Sequence, residues 1–313
     1  MRKVFNPLLL VLVFSIVLIG CGVQESSGVG DRITIVSTIF TPYDFARRIA
    51  GDSADVSMLL PPASESHSFE PTTQDMMKIR NSDIFIYVGG ESDAWVEDIL
   101  SGIDTNKVKV ITLMDCVSLV EEEFVEGMQA EGEEEDEGAY DEHVWTSPAN
   151  AKLIVQKISD AMIEVDSENA DIYAGNTVSY LEKISELDLE FKSIVSNASR
   201  KTIIFGDRFP FRYFVEEYGL SYYAAFPGCS AETEASAQTV KFLIDKVRDE
   251  QVPVVFHLEL SNERMAQSIS EQTNAKVLEL HACHNISRAD FDSGIGYIDL
   301  MYRNVGVLTE ALQ

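Results

Sequence analysis

The sequence predicts an α/β protein of two lobes, each a mainly parallel β-sheet flanked by helices, joined by one long rigid backbone helix. Two observations carry this prediction. Short β-branched and aromatic runs alternate with helically spaced stretches in both halves of the chain, the pattern of parallel sheets covered on both faces. Between the halves, residues 169–195 keep Tyr173, Tyr180, Leu181, Ile184, Leu187, Phe191 and Ile194 at spacings of three and four, one face of a helix.

The chain opens with Arg2 and Lys3, followed by an apolar run over residues 8–19 that ends at Gly20-Cys21. The run is shorter than the about 20 residues a membrane span needs. It suits a lipoprotein signal over residues 1–21, with Cys21 as the lipidated first residue of the mature protein; an ordinary signal peptide or an uncleaved anchor is the alternative. Residues 22–31, GVQESSGVGD, have the composition of a flexible tether.

Folding begins near Arg32. In the N-terminal lobe, residues 32–166, the strand runs are ITIVST (33–38), VSMLL (56–60), DIFIYVG (83–89) and VKVITL (108–113). The linking helix, within residues 167–198, would span roughly 40 Å at 1.5 Å per residue. Two shorter helices broken at Gly175 or Ser185 remain open, because glycine weakens a helix by about 1 kcal/mol. The C-terminal lobe, residues 199–313, repeats the design with TIIFG (202–206), YYAAF (222–226), VPVVFHLEL (252–260) and AKVLEL (275–280).

Charge narrows the function. The chain carries −28, and removal of the signal, which holds two basic residues and no acid, leaves −30. This argues against nucleic acid and against charge-driven docking on anionic lipid, and favours attraction of cations. Residues 121–142 hold twelve acidic and no basic residues. They read as a mobile loop, either merely solvated or a flap that gathers hydrated cations.

There are only five histidines, at 67, 143, 257, 281 and 284. His67 in ESHSFEPTTQDM and His143 in DEHVWTSPAN stand in polar, turn-like settings far apart in sequence, as expected of one metal site assembled between separate parts of a fold. His257 lies within a strand and reads as a core residue. Besides Cys21 there are Cys116, Cys229 and Cys283. Cys229 and Cys283 lie in polar strings of the same half and are the preferred disulfide pair, leaving Cys116 as a small buried residue. A thiolate–zinc role for Cys283 stays open.

These features resemble the zinc- and manganese-binding substrate proteins of ABC importers over nearly the whole mature chain. The resemblance rests on the lipoprotein start, His67 followed by Glu70-Pro71, residues 83–90 with Trp95, Glu142-His143-Val144-Trp145 with Ser147-Pro148, Asn150-Ala151, and Tyr297 with Met301 and Asn304. It implies a metal held between two α/β lobes by four ligands. His67 and His143 match the family motifs closely. The third position falls on Asp207, a departure from the family's histidine or glutamate, with a helix N-cap or an ion pair to Arg208 or Arg212 as its alternative role. The fourth falls on His284, with His281 as the alternative, and Glu259 as a supporting or substitute ligand.

Three imidazoles and a carboxylate would leave a net charge of +1 around a divalent ion and favour Zn2+ over Mn2+. The resemblance implies a monomeric extracytoplasmic receptor, lipid-anchored to the outer face of the cytoplasmic membrane. It would capture zinc and pass it to a membrane permease and its ATPase, without catalysing a reaction. A manganese receptor is the nearer alternative and a secreted zinc hydrolase the more distant one. The sequence holds no HExxH helix, no GxSxG elbow and no glycine-rich phosphate loop.

Overall fold

In the computed structural model, residues 32–65, 69–104, 107–128, 139–230 and 234–313 are described, so the expected signal, Cys21, the tether and His67 lie outside the described residues. Residues 32–313 group as one compact unit. The first half runs β1 (Ile33–Ser37), α1 (Phe40–Ala50), β2 (Ala54–Met58), α2 (Thr73–Arg80), β3 (Ile84–Tyr87), α3 (Trp95–Leu100), β4 (Lys109–Thr112) and α4 (Pro148–Val165). Its four strands form a parallel sheet in the order β2-β1-β3-β4. After α5 (Ala170–Ser196) come β5 (Thr202–Phe205), β6 (Arg208–Phe209), α6 (Arg212–Tyr218), β7 (Ser221–Tyr223), β8 (Phe226–Pro227) and α7 (Ala237–Asp249). The chain closes with β9 (Val254–His257), α8 (Arg264–Thr273), β10 (Lys276–Glu279), α9 (Arg288–Asp292) and α10 (Tyr297–Leu312). The second parallel sheet has the order β10-β9-β5-β7, and β6 and β8 make a separate parallel pair.

The two-sheet α/β architecture expected from the strand runs is present, with local shifts. YYAAF divides between β7 and β8, and the long VPVVFHLEL run is a strand only over Val254–His257. That strand stops because Leu258 N–H donates to the Asp207 carboxylate rather than to a neighbouring strand.

Helix α5 is one unbroken helix of 27 residues. Gly175 faces open space and Ser185 returns its hydroxyl to Leu181 C=O, so neither interrupts it. Its buried stripe includes Tyr173, Tyr180, Ile184, Leu187, Phe191 and Val195, and its polar groups pin it along its length. Asn176 donates to Ile49 C=O near one end, Tyr180 to Asp44 in the middle, and Asp188 accepts from Tyr218 towards the other end. Docking to α1 and α6 at different heights makes α5 a strut, and one apolar core continues around it from Phe45 to Phe214.

Candidate metal centre

In open parallel sheets, ligands gather beyond the carboxyl ends of the strands. Here the segments following β2, β5, β9 and β10 meet the turn that precedes α4. That turn carries His143. Ser147 caps α4 by accepting Asn150 N–H, and Pro148 occupies the first turn, where its missing N–H costs nothing. The sequence therefore has to leave its extended path at His143. Asp141 Oδ1 accepts His143 N–H at 2.7 Å and lies 3.2 Å from its Nδ1, which orients the ring. The imidazole is buried. Burial alone would lower its pKa, but the Asp141 carboxylate, with Glu142 and Glu122 behind it, raises it above the ordinary value. An imidazole made more basic by a carboxylate on one nitrogen is a stronger donor to a cation on the other.

His284 arrives from the loop after β10. That loop is held from both halves of the chain. Glu259 accepts Ala282 N–H at 2.7 Å and His284 N–H at 3.1 Å, one to each carboxylate oxygen. The open N-terminus of α1 supplies Phe40 N–H to His284 C=O and the Thr41 hydroxyl to Cys283 C=O. Asn285 donates to Pro61 and Ser64 C=O, beyond β2. Trp145 Nε1–H donates to Ala282 C=O, and its ring lies against His284. The rings of His143 and His284, 141 residues apart in sequence, consequently meet edge to face with centroids 5.3 Å apart.

Both line a cavity of about 30 Å³, together with Glu65, Arg208 and Glu259. That is room enough for a water molecule or a single ion. Gly228 completes one wall: a Cβ there would lie 3.2 Å from the His143 ring, closer than ordinary packing allows. Burial pushes the Glu259 carboxyl up to about 7, against the lowering effect of the amides it accepts and of Arg208.

Three expectations need correction. Asp207 does not line the cavity: its two oxygens accept Arg208 N–H and Leu258 N–H, tying the end of β5 to the end of β9. Its neighbour Arg208 faces the cavity instead. His281, the alternative fourth ligand, does not line the cavity either, although its Nδ1 lies 3.7 Å from Glu259 Oε1 behind the wall. Its Nδ1 accepts Cys283 N–H at 3.0 Å, while Asn304 pairs with its backbone. Finally, Cys229 and Cys283 are both free thiols. Cys283 is buried, with a φ of 60° and its Sγ turned to His281 C=O. Cys229 lies beside Glu122 and Glu142, and burial, reinforced by these carboxylates, pushes its pKa up. Cys116 is only partly buried.

The acidic segment is not a free loop at its stem. Glu121 and Tyr140 bridge, and Glu122 accepts both Gly228 and Cys229 N–H next to His143. Residues 129–138 lie outside the described residues. Sequence reasoning missed Glu122, Asn285 and the orienting Asp141. Among the described residues, no group of three or more His, Cys, Asp or Glu side chains is placed to hold a metal; the His143 and His284 rings alone meet at the cavity.

His281 gives a pH test of this arrangement. Accepting an amide on Nδ1 requires the neutral ring, and burial lowers its pKa from 6.5 to about 4. The unfolded chain binds the proton that the folded chain refuses, so this residue makes stability rise with pH between about 4 and 6.5. His281→Asn, whose Oδ1 can still accept Cys283 N–H, is expected to lose that contribution. Urea unfolding of metal-free protein at pH 4.5 and 6.5 would show a smaller pH dependence in the variant; an unchanged difference would contradict the neutral buried ring.

Comparison with known proteins agrees with this architecture. The family model described as zinc-uptake complex component A, periplasmic, matches residues 35–311. The high-affinity zinc uptake system protein ZnuA of Bacillus subtilis is 28% identical over 322 residues, covering 100% of this chain and 99% of that protein. The zinc-binding lipoprotein AdcA of Streptococcus pneumoniae strain R6 is also 28% identical over 99% of this chain, which spans 61% of AdcA's length. The solved Zn(II)-bound ZnuA-like domain of S. pneumoniae AdcA superposes with a TM-score of 0.75 at 26% identity, covering 90% of this chain and 99% of that domain. A match across nearly all of the described chain, joined to two parallel sheets and paired histidines at their carboxyl ends, places the protein: it belongs to the family of the periplasmic zinc-uptake component A.

Proposed function

We propose that this protein is an extracytoplasmic receptor that captures Zn2+ and delivers it to the permease of an ABC importer, with no chemical step of its own. The observation that carries this reading is the meeting of His143 and His284 at an ion-sized cavity beyond the ends of both sheets. The zinc-related names of its relatives support it. His67, His143 and His284 are the ligands in this reading, and Glu259 supplies negative charge at the wall and holds the His284 loop. Imidazole donors favour zinc over manganese, which prefers oxygen.

The lobe boundaries at residues 166 and 199, the lipid anchor at Cys21, the monomeric state and the permease and ATPase partners belong to the same proposal. Among the described residues, no helix is long and apolar enough to cross a membrane. Attachment at the outer face of the cytoplasmic membrane would therefore rest on the N-terminal segment. The test is competitive binding of zinc and manganese to the chain beginning at Gly22. One zinc site, at least tenfold tighter than manganese by the usual stability order, is expected. Absence of a tight site, or a preference for manganese, would overturn the zinc reading.

A further inference from the structure

The cavity that would receive a dication has a cationic residue in its wall. Arg208 sits at the start of β6, whose pairing with β8 fixes its backbone, and its side chain is 14% exposed. Arg208 lines the same small cavity as His143, His284 and Glu259. Nη1 lies 3.4 Å from Glu65 Oε1 and 3.4 Å from Ser230 C=O. Glu65 comes from the segment after β2, in the first half of the chain, and is 49% exposed at the rim. Arg208 therefore shares the cavity with the buried Glu259 carboxylate and pairs with the half-exposed Glu65 carboxylate.

A buried carboxylate needs a compensating charge or a proton. Guanidinium is always protonated and weakly hydrated, so it can fill that role in a small cavity where water cannot. Like charges in a poorly screened site repel strongly, so a divalent ion entering the cavity meets the Arg208 charge.

We propose that Arg208 is a built-in competitor of the metal: held at the cavity by Glu65, which partly neutralises it, its fixed positive charge opposes the entering ion, moderating affinity and speeding release. This rests on the reading of the cavity as a zinc site. Such a device suits a receptor that must give up its cargo, since a site of imidazoles alone would hold zinc without an internal route to displacement.

The test is zinc affinity by chelator competition and zinc release by chelator chase, on the chain beginning at Gly22. Arg208→Gln is expected to bind zinc about tenfold tighter, a change of about 1.4 kcal/mol, and to release it correspondingly more slowly. Arg208→Lys, which keeps the charge, should stay within about threefold of the parent. Lys241→Gln, at a side chain 76% exposed, controls for net charge and should change nothing. Glu65→Gln should weaken zinc binding in the parent and have no effect in the Arg208→Gln background, the coupling that a double-mutant cycle isolates.

Unchanged or weaker binding in Arg208→Gln, with unfolding behaviour like the parent's, would overturn the proposal. So would equal weakening by Glu65→Gln in both backgrounds, which would mean that Glu65 acts on the ion directly. If Arg208→Gln fails to fold, parent-like release by Arg208→Lys supports the proposal and slowed release overturns it. Failure of the parent to bind zinc would instead refute the underlying reading, and the competitor role with it.

Discussion

Replacing His143 by alanine is expected to lower zinc affinity by more than about a hundredfold and to erase the stabilisation that zinc confers. Loosening a residue that only orients a ligand typically costs about 10–100-fold in metal affinity, and removal of the donor itself should exceed that. Asp141→Asn supplies the internal comparison. It leaves the His143 ring present but weakens the contact that makes Asp141 Oδ1 its orienting partner, so its loss should fall inside the 10–100-fold range. At a free zinc concentration of about 100 times Kd, binding stabilises the native state by about 2.7 kcal/mol. For a chain of this size that raises the unfolding temperature by about 5 °C.

The metal-free His143→Ala variant should still fold. Asp141 keeps its hydrogen bond to the backbone N–H of residue 143, and the vacated volume adjoins a cavity that water can enter. The measurement is thermal unfolding with and without zinc. A variant that keeps the zinc-induced rise would remove His143 from the ligand set. One that is unfolded without metal would show that the ring is needed for folding.

The strands most legible in the sequence are those whose residues are buried on both faces. Ile84–Tyr87 and Thr202–Phe205 read as continuous apolar runs because helices cover both sides of each sheet. The α5 stripe was legible for the same reason, since periodic burial leaves a periodic record. Scarcity drew attention to His143 and His284, which the fold brings together at one cavity. The site was not legible where one residue decides direction. Asp207 and Arg208 are neighbours, and a step of one residue in extended chain reverses the side-chain face. Only the amides of Arg208 and Leu258 show that Asp207 faces away from the cavity.

Tertiary partners hid the other features. Glu122 looks like its acidic neighbours until the amides of Gly228 and Cys229 are brought to it. The cysteine pairing failed because sequence gives proximity along the chain but no direction. The left-handed backbone at Cys283 leaves its buried thiol against His281 C=O, and both cysteines are free.

Trp145→Ala is expected to be the most destabilising single change at the site, costing about 3–5 kcal/mol, the range for emptying a fully buried large aromatic position. Trp145 is wholly buried and joins three elements at once. Its indole N–H holds Ala282 C=O at 2.8 Å, its own C=O accepts the Tyr297 hydroxyl at 2.9 Å, and its ring packs against both His143 and His284. Two roles are therefore superimposed, filling the core and setting the His284 loop, and alanine would remove both. Trp145→Phe separates them. Phenylalanine keeps most of the apolar volume but leaves Ala282 C=O without its donor, a loss of about 1–3 kcal/mol if the carbonyl stays buried. Because Ala282 is two residues from His284, that variant should also weaken zinc binding by a factor within the range for orienting residues, about 10–100-fold. Urea unfolding and chelator competition on the same preparations give the two readouts. Reduced stability with unchanged zinc affinity in Trp145→Phe would assign Trp145 to the core alone and leave Glu259 and the N-terminus of α1 as the groups that place His284.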